Sequence, residues 1–250
     1  MSRTFSKSQD SNREAPENIA LKPMSTEALA DISVWIFDLD NTLYPPSSPI
    51  FDQIDRRMTS FIADFLHVDP AQAYKVQKTY YRKYGTSLRG LMQEHNMSAD
   101  AFLNYVHNID HSVLTPDPKL AAALKKLPGR RLIYTNGSVN HAEKVLHHLG
   151  LDGVFDAVFD IHASDYVPKP QPLSYEKMLR TLSIDPSQAV FVEDSLKNLI
   201  PAAEFGMKTV WLCNHRDSSG VGEIDHMKCD AIIDNLSSWL DSVAKLRGFT

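Results

Sequence analysis

Six short apolar runs recur along this chain of 250 residues, at 33–38, 131–136, 154–160, 189–194, 208–213 and 231–234. They are continuous rather than alternating. A strand with one wet face alternates, whereas a strand covered on both faces does not. Between the runs lie stretches of helical periodicity, at 118–126, 139–149, 173–182 and 196–205. Gly150 and Gly206 stand where two of these helices stop. Asp185-Pro186 opens a turn before the fourth run. Strands alternating with helices in this way predict right-handed βαβ units around a parallel sheet, an α/β fold.

The alternation breaks once. Between 44 and 115 no apolar run of comparable strength occurs, and helical patterns fill the gap at 50–66, 70–84, 87–95 and 99–107. Asp69-Pro70 pairs a capping side chain with proline at the first helical position, and Ser98 opens another helix. An all-helical module, 44–115, is therefore expected after the first strand, dividing the α/β core into 29–43 and 116–250. Residues 1–28 are polar and predict a flexible tail. No internal repeat is present.

Charge and composition narrow the partners. The net charge of −5 offers no basic footprint for nucleic acid or an anionic membrane. No apolar stretch approaches spanning length, and the first 21 residues lack the apolar segment of a signal peptide. The two cysteines, Cys213 and Cys229, make no disulfide framework. A reducing cytoplasm is expected.

In an open parallel sheet, ligands bind outside the carboxyl ends of the strands. The first strand ends in Asp38, with Asp40 and Thr42 just beyond. Two neighbouring carboxylates repel and lose hydration, unless a divalent cation sits between them. One can then act as a nucleophile and the other as an acid/base. The second strand ends in Thr135-Asn136-Gly137. The third leads to Val167-Pro168-Lys169-Pro170, and the fourth ends in Glu193-Asp194-Ser195. Taken singly, these are an Asx turn, a helix cap, a solvated loop lysine and a second cap. Taken together on successive strands, they supply metal-binding carboxylates, an ammonium and a hydroxyl, the set that phosphoryl transfer requires.

This set resembles the four motifs of the haloacid dehalogenase-like (HAD) superfamily, the first being Asp-x-Asp-x-Thr. The resemblance implies a Rossmann-like core with a parallel sheet flanked by helices, plus an inserted helical cap of the C1 type. It implies magnesium as cofactor. It makes Asp38 the nucleophile that becomes an aspartyl phosphate, and Asp40 the acid/base whose carbonyl also contacts the metal. It makes Thr135 and the Asn136 amide holders of the phosphoryl group, Lys169 the charge-offsetting ammonium, and Asp194 the completing metal ligand. Many members carry a second aspartate where this chain has Asn198, an amide able to hold metal-bound water or hydrogen-bond Lys169. Glu193 stays open between a water-mediated metal contact and loop orientation. Asp40 is the residue that the dehalogenase branch lacks, so phosphate ester hydrolysis is the expected chemistry.

Specificity is expected from the cap and from the proline-rich loop 43–49. The cap run 80–91 is rich in aromatic and basic residues, which can stack on a base and pair with phosphate, or can simply form a packed and solvated helical face. This run, with the one opening Asp38-Leu39-Asp40-Asn41-Thr42-Leu43-Tyr44-Pro45 and the run Glu193-Asp194-Ser195-Leu196-Lys197-Asn198-Leu199, resembles the pyrimidine 5′-nucleotidase branch. The implied substrate is a nucleoside 5′-monophosphate such as UMP or CMP, with Tyr44, Arg82, Thr86 and Arg89 as cap-side contacts. The alternatives are another small phosphate ester (phosphoglycolate or a sugar phosphate), a phosphosugar mutase, or a non-catalytic phosphate-binding module. The ten histidines, including His107, His111, His141, His147 and His148, read as surface or structural residues, since no cysteine or carboxylate partners mark a zinc site.

Overall fold

The computed structural model describes residues 20–213, 229–246 and 248. Six strands form one sheet: β1 (Val34–Phe37), β2 (Arg130–Tyr134), β3 (Ala157–Phe159), β4 (Ala189–Glu193), β5 (Lys208–Leu212) and β6 (Ala231–Ile233). Their order is β3-β2-β1-β4-β5-β6, and every pairing is parallel. All four residues of β1 are buried. Trp35 and Phe37 point into one apolar layer, while Val34 and Ile36 point into the other. This two-sided burial explains why the strand is a continuous apolar run.

Among the described residues there are ten α-helices, α1 (Thr26–Leu29), α2 (Ile50–Leu66), α3 (Pro70–Tyr84), α4 (Ser87–His95), α5 (Ala99–Val106), α6 (Pro118–Lys126), α7 (Val139–His148), α8 (Pro172–Thr181), α9 (Leu196–Glu204) and α10 (Leu236–Leu246), and two short 3₁₀ helices, His111–Val113 and Pro186–Gln188. Leu29, Leu124, Val145 and Leu240 place α1, α6, α7 and α10 in the layer with Trp35. Tyr175, Met178, Leu199 and Ala202 place α8 and α9 in the opposite layer. The chain runs outward from β1 through β2 to β3, then returns to the other side of β1 as β4. The strand order therefore reverses beside β1, and a crevice opens at its carboxyl end.

The helical insertion is present as expected. Helices α2 to α5 share their own apolar core, which includes Ile62, Ala73, Leu88, Leu91 and Phe102. Ile50 and Ile54, in the first turns of α2, belong instead to the core of the α/β domain. So α2 leaves one body and ends in the other. The corner between α3 and α4 depends on small residues. Gly85 closes α3 with φ at 86°, and Thr86 caps α4 by accepting from the Arg89 amide. A Cβ on Gly90 would lie 2.4 Å from the Tyr80 Cβ, so the two helices touch backbone to side chain there.

One boundary differs from expectation. Part of the predicted tail is folded: Lys22 bridges to Ile232, Met24 and Leu29 are buried, and Ser25 caps α1. Residues 1–19 lie outside the described set. The few apolar residues here are spaced among polar ones, so their packing needs the β6 edge to be seen. No described helix is long and apolar enough to cross a membrane.

The close approach at Gly90 generates a prediction. Gly90→Ala forces α3 and α4 apart and costs about 1–3 kcal/mol within the cap. Hydrogen exchange is expected to accelerate in α3 and α4 and to stay unchanged in β1 and β4. Unchanged protection of α3 and α4 would contradict this packing.

Candidate active site

The backbone of Asp38 is still in the sheet, since its amide donates to the Val192 carbonyl at 2.9 Å. The chain then turns sharply. Asn41 adopts a left-handed φ of 62°, and the Thr42 and Leu43 amides donate back to the Leu39 carbonyl. Leu39 is wholly buried and pins the turn. The turn sets Asp40 beside Asp38, and the Thr42 hydroxyl donates to Asp38 Oδ2 at 3.1 Å.

Lys169 reaches this point from the loop after β3. It is a buried lysine whose Nζ donates to Asp38 Oδ1 at 2.7 Å, to Glu193 Oε2 at 2.7 Å and to the Tyr134 carbonyl at 2.8 Å. An ammonium has three donors, and all three are used. The Asn136 side chain clamps the lysine's own backbone: its Oδ1 accepts from the Lys169 amide at 2.8 Å, and its Nδ2 donates to the Lys169 carbonyl at 3.2 Å. Thr135 Oγ1 accepts from the Gly137 amide at 2.9 Å, which leaves its proton to donate elsewhere.

Burial, then the nearby Glu193 and Asp40 charges, push the Asp38 carboxyl up to about 7 despite the Lys169 ammonium. Burial and the charges of Glu193 and Asp38 push Asp194 well above the usual carboxylate range. For Lys169, burial is outweighed by Asp38 and Glu193, and its pKa rises. Ligand oxygens of Asp38, Glu193 and Asp194 lie within 4.8 Å of one another. Such an all-oxygen set, with more negative charge than one ammonium offsets, fits a hard divalent cation. Glu193 already receives Lys169 on Oε2 and the Ser195 amide on Oε1. Asp38 likewise receives Lys169 on Oδ1 and Thr42 on Oδ2, so a cation here would share these carboxylates with their donors and with Asp194.

Asp40 has partners that were not expected. Its Oδ1 accepts from the Tyr44 hydroxyl at 2.6 Å and faces His141 Nε2 at 2.8 Å. Burial alone would raise its pKa, but the His141 charge and hydrogen bond, with Tyr44, hold it at about 2. His141 is wholly buried, and His111 Nε2 lies 3.2 Å from its Nδ1. Tyr44 is thus a core residue on Asp40 rather than a cap-side contact. Nor can Asn198 receive a hydrogen bond from Lys169, whose donors are all engaged. Thr86 is occupied as a helix cap. Arg89 Nη1 donates to the Tyr166 carbonyl at 3.4 Å, joining the cap to the Lys169 loop. Arg82 is exposed on α3. The structure therefore gathers Asp38, Asp40, Thr135, Asn136, Lys169 and Asp194 at one end of the sheet.

A sequence profile described as haloacid dehalogenase-like hydrolase matches residues 32–206. The chain belongs to this family. It is 31% identical over 193 residues to Phosphate metabolism protein 8 of Saccharomyces cerevisiae, covering 70% of this chain and 59% of that protein. The chain thus spans little more than half of that relative's length. It is also 31% identical over 195 residues to Glyceraldehyde 3-phosphate phosphatase of Pyrococcus furiosus, covering 72% of this chain and 80% of that one. Among solved structures, a HAD phosphatase from Thermococcus onnurineus superposes with a TM-score of 0.57 at 19% identity, covering 87% of this chain and 99% of that one. That likeness speaks for the fold.

Lys169→Met should lower the thermal midpoint, because it leaves Asp38 and Glu193 buried without their counter-charge. Breaking a buried pair in this way costs about 3–5 kcal/mol. Calorimetry in the absence of divalent cations checks it, and an unchanged midpoint would show that the pair is not stabilising.

Proposed function

We propose that this protein is a magnesium-dependent phosphomonoesterase that acts through a phosphorylated Asp38. The observation that carries the reading is the Lys169 ammonium 2.7 Å from Asp38 Oδ1, at a strand-end cluster that also holds Asp40, Thr135 and Asp194. Binding alone does not need a carboxylate nucleophile beside an acid/base. Asp38 and Asp194, with the Asp40 carbonyl, would hold magnesium, which would supply positive charge to the phosphate oxygens and keep Asp38 ionised.

Asp38 attacks phosphorus as the bond to the leaving oxygen breaks. Lys169 offsets the charge gathered on both partners, and the free Thr135 proton donates to a phosphoryl oxygen. Asp40, which takes up a proton from solvent as the phosphate binds, gives that proton to the leaving oxygen. Its carboxyl rests ionised, and a doubly negative phosphoryl group brought beside it raises its pKa toward that of a working acid. In the second half, water attacks phosphorus, Asp40 takes a proton from that water, and the bond to Asp38 breaks to release phosphate.

The substrate we propose is a pyrimidine nucleoside 5′-monophosphate, UMP or CMP. The reading rests on the likeness of the runs at 38–45, 80–91 and 193–199 to that branch. Arg89, with Arg82 and Tyr81 on the cap surface, would supply the contacts beyond the phosphate. A second reading, a small sugar phosphate, is favoured by the archaeal glyceraldehyde 3-phosphate phosphatases among the relatives. The setting is a reducing cytoplasm, consistent with two buried free thiols.

A phosphate-release panel with magnesium and with EDTA separates these readings. UMP and CMP are expected to turn over faster than phosphoglycolate, glyceraldehyde 3-phosphate and hexose phosphates, and EDTA is expected to abolish turnover. Equal or better turnover of the small esters overturns the nucleotide reading. Asp38→Asn is expected to lose at least about 10³-fold in kcat. Near-normal turnover by that variant would refute the covalent route.

A further inference from the structure

We propose that His141 is a positioning residue for Asp40, holding its carboxylate so that Oδ2 alone is left to give and take the proton. The inference rests on Asp40 being the acid/base of phosphate ester hydrolysis.

Two donors converge on one oxygen. Tyr44 Oη lies 2.6 Å from Asp40 Oδ1, and His141 Nε2 lies 2.8 Å from the same atom. A carboxylate that receives both bonds on Oδ1 is fixed in rotation, and its second oxygen is turned away from both partners. The Asp40 side chain keeps 22% of its surface exposed while His141 has none, so the carboxylate is reachable from the crevice and its holder is not.

The imidazole is itself held from three sides. An ionised carboxylate only accepts, so His141 must donate from Nε2. On the other side of the ring, His111 Nε2 lies 3.2 Å from His141 Nδ1, a hydrogen bond that fixes the ring from its second nitrogen. His107 stacks on the ring with centroids 4.4 Å apart and planes 14° from parallel. His107 Nδ1 is in turn 2.9 Å from Ser138 Oγ, the side chain that caps α7. On the third side the ring passes over Gly137. A Cβ there would stand 3.3 Å from both His141 Cδ2 and Thr135 Oγ1, and 3.8 Å from Asp40 Oδ2. The slot beside the reacting groups is therefore shaped for this ring. Such layered support of one proton-handling group is what precise positioning requires.

The test uses the full-length protein with magnesium and two substrates. p-Nitrophenolate leaves without proton help, whereas the nucleoside of UMP needs it. His141→Leu should therefore still phosphorylate Asp38 from p-nitrophenyl phosphate, then stall where Asp40 must activate water. A burst of p-nitrophenol approaching one equivalent per enzyme is expected, followed by a steady kcat about 10²-fold below wild type. For that substrate kcat/KM, which reports the first step, should fall less than about threefold; for UMP it should fall with kcat, by about 10²-fold. His141→Gln keeps a donor near Oδ1 and should recover kcat to within about tenfold of wild type. Should His141→Leu fail to fold, Tyr44→Phe removes the other donor and is expected to give the same burst. A wild-type kcat in His141→Leu overturns the proposal. So does an equal loss of kcat/KM for both leaving groups without a burst, which marks a merely structural role. An inactive wild type, or an active Asp38→Asn, overturns the phosphatase reading beneath it and this inference with it.

Discussion

The ammonium of Lys169 is the interaction on which the rest of the site depends. It lies out of water, and its three hydrogen bonds tie together the ends of β1, β2 and β4. A lone buried ammonium would cost several kcal/mol, and so would a lone buried carboxylate. Here each makes the other tenable, but the balance is incomplete. One ammonium offsets one of the three negative charges of Asp38, Glu193 and Asp194, and a divalent cation would offset the other two. Burial first, and then that deficit, raise Asp38 and Asp194. The charge that destabilises the cluster is thus the same charge that suits it to a divalent cation. The arrangement also divides the carboxylates by role. Glu193 holds the lysine, while Asp38 faces both the lysine and the side from which a metal would bind.

The α/β frame was legible because two-sided burial leaves a direct mark on sequence. Val34 and Ile36 face one core, Trp35 and Phe37 the other, so no residue of β1 is free to be polar. The strand-end residues were legible for a related reason, since a carboxylate at the end of an apolar run needs an explanation. What stayed hidden were the contacts that cross the sheet. Asp40 and His141 are 101 residues apart, and only the adjacency of β1 and β2 brings them together. His141 reads as any histidine in the first turn of an amphipathic helix. The one available signal was positional: Ser138 caps the helix after β2, so its first turn faces the residues that follow β1. Tyr44 was hidden in the same way, because the turn at Asn41 sends it inward to Asp40 rather than outward to the cap.

The cap run shows how a motif can carry structure and specificity together. Gly85 ends α3, Thr86 caps α4, Leu88 and Leu91 enter the cap core, and Gly90 admits Tyr80. Most residues in the run are accounted for by the corner they build. Likeness to another sequence in this stretch is therefore first a likeness in how two helices cross. That crossing nonetheless decides where Arg89 stands, and Arg89 donates across to the Tyr166 carbonyl of the α/β domain.

The cap consequently meets the site through the groups that manage charge and protons. At the α3–α4 corner, a Cβ on Gly85 would sit 3.4 Å from Pro168 and 3.6 Å from the Lys169 carbonyl, and Arg89 binds the Tyr166 carbonyl just upstream. At the other side of the module, the segment returning from α5 supplies His107 and His111, which hold the imidazole that holds Asp40. His162 makes a third bridge, from Asp100 on α5 to Asp160 after β3. A shift of the cap that kept these contacts would carry the lysine loop and the Asp40 holder with it, since packed groups move together rather than deform. Both the ammonium beside Asp38 and the imidazole beside Asp40 are thus mounted against the cap, the element from which substrate discrimination is expected. A substrate that the cap does not accommodate would disturb the positioning of both, which ties specificity to rate as well as to binding.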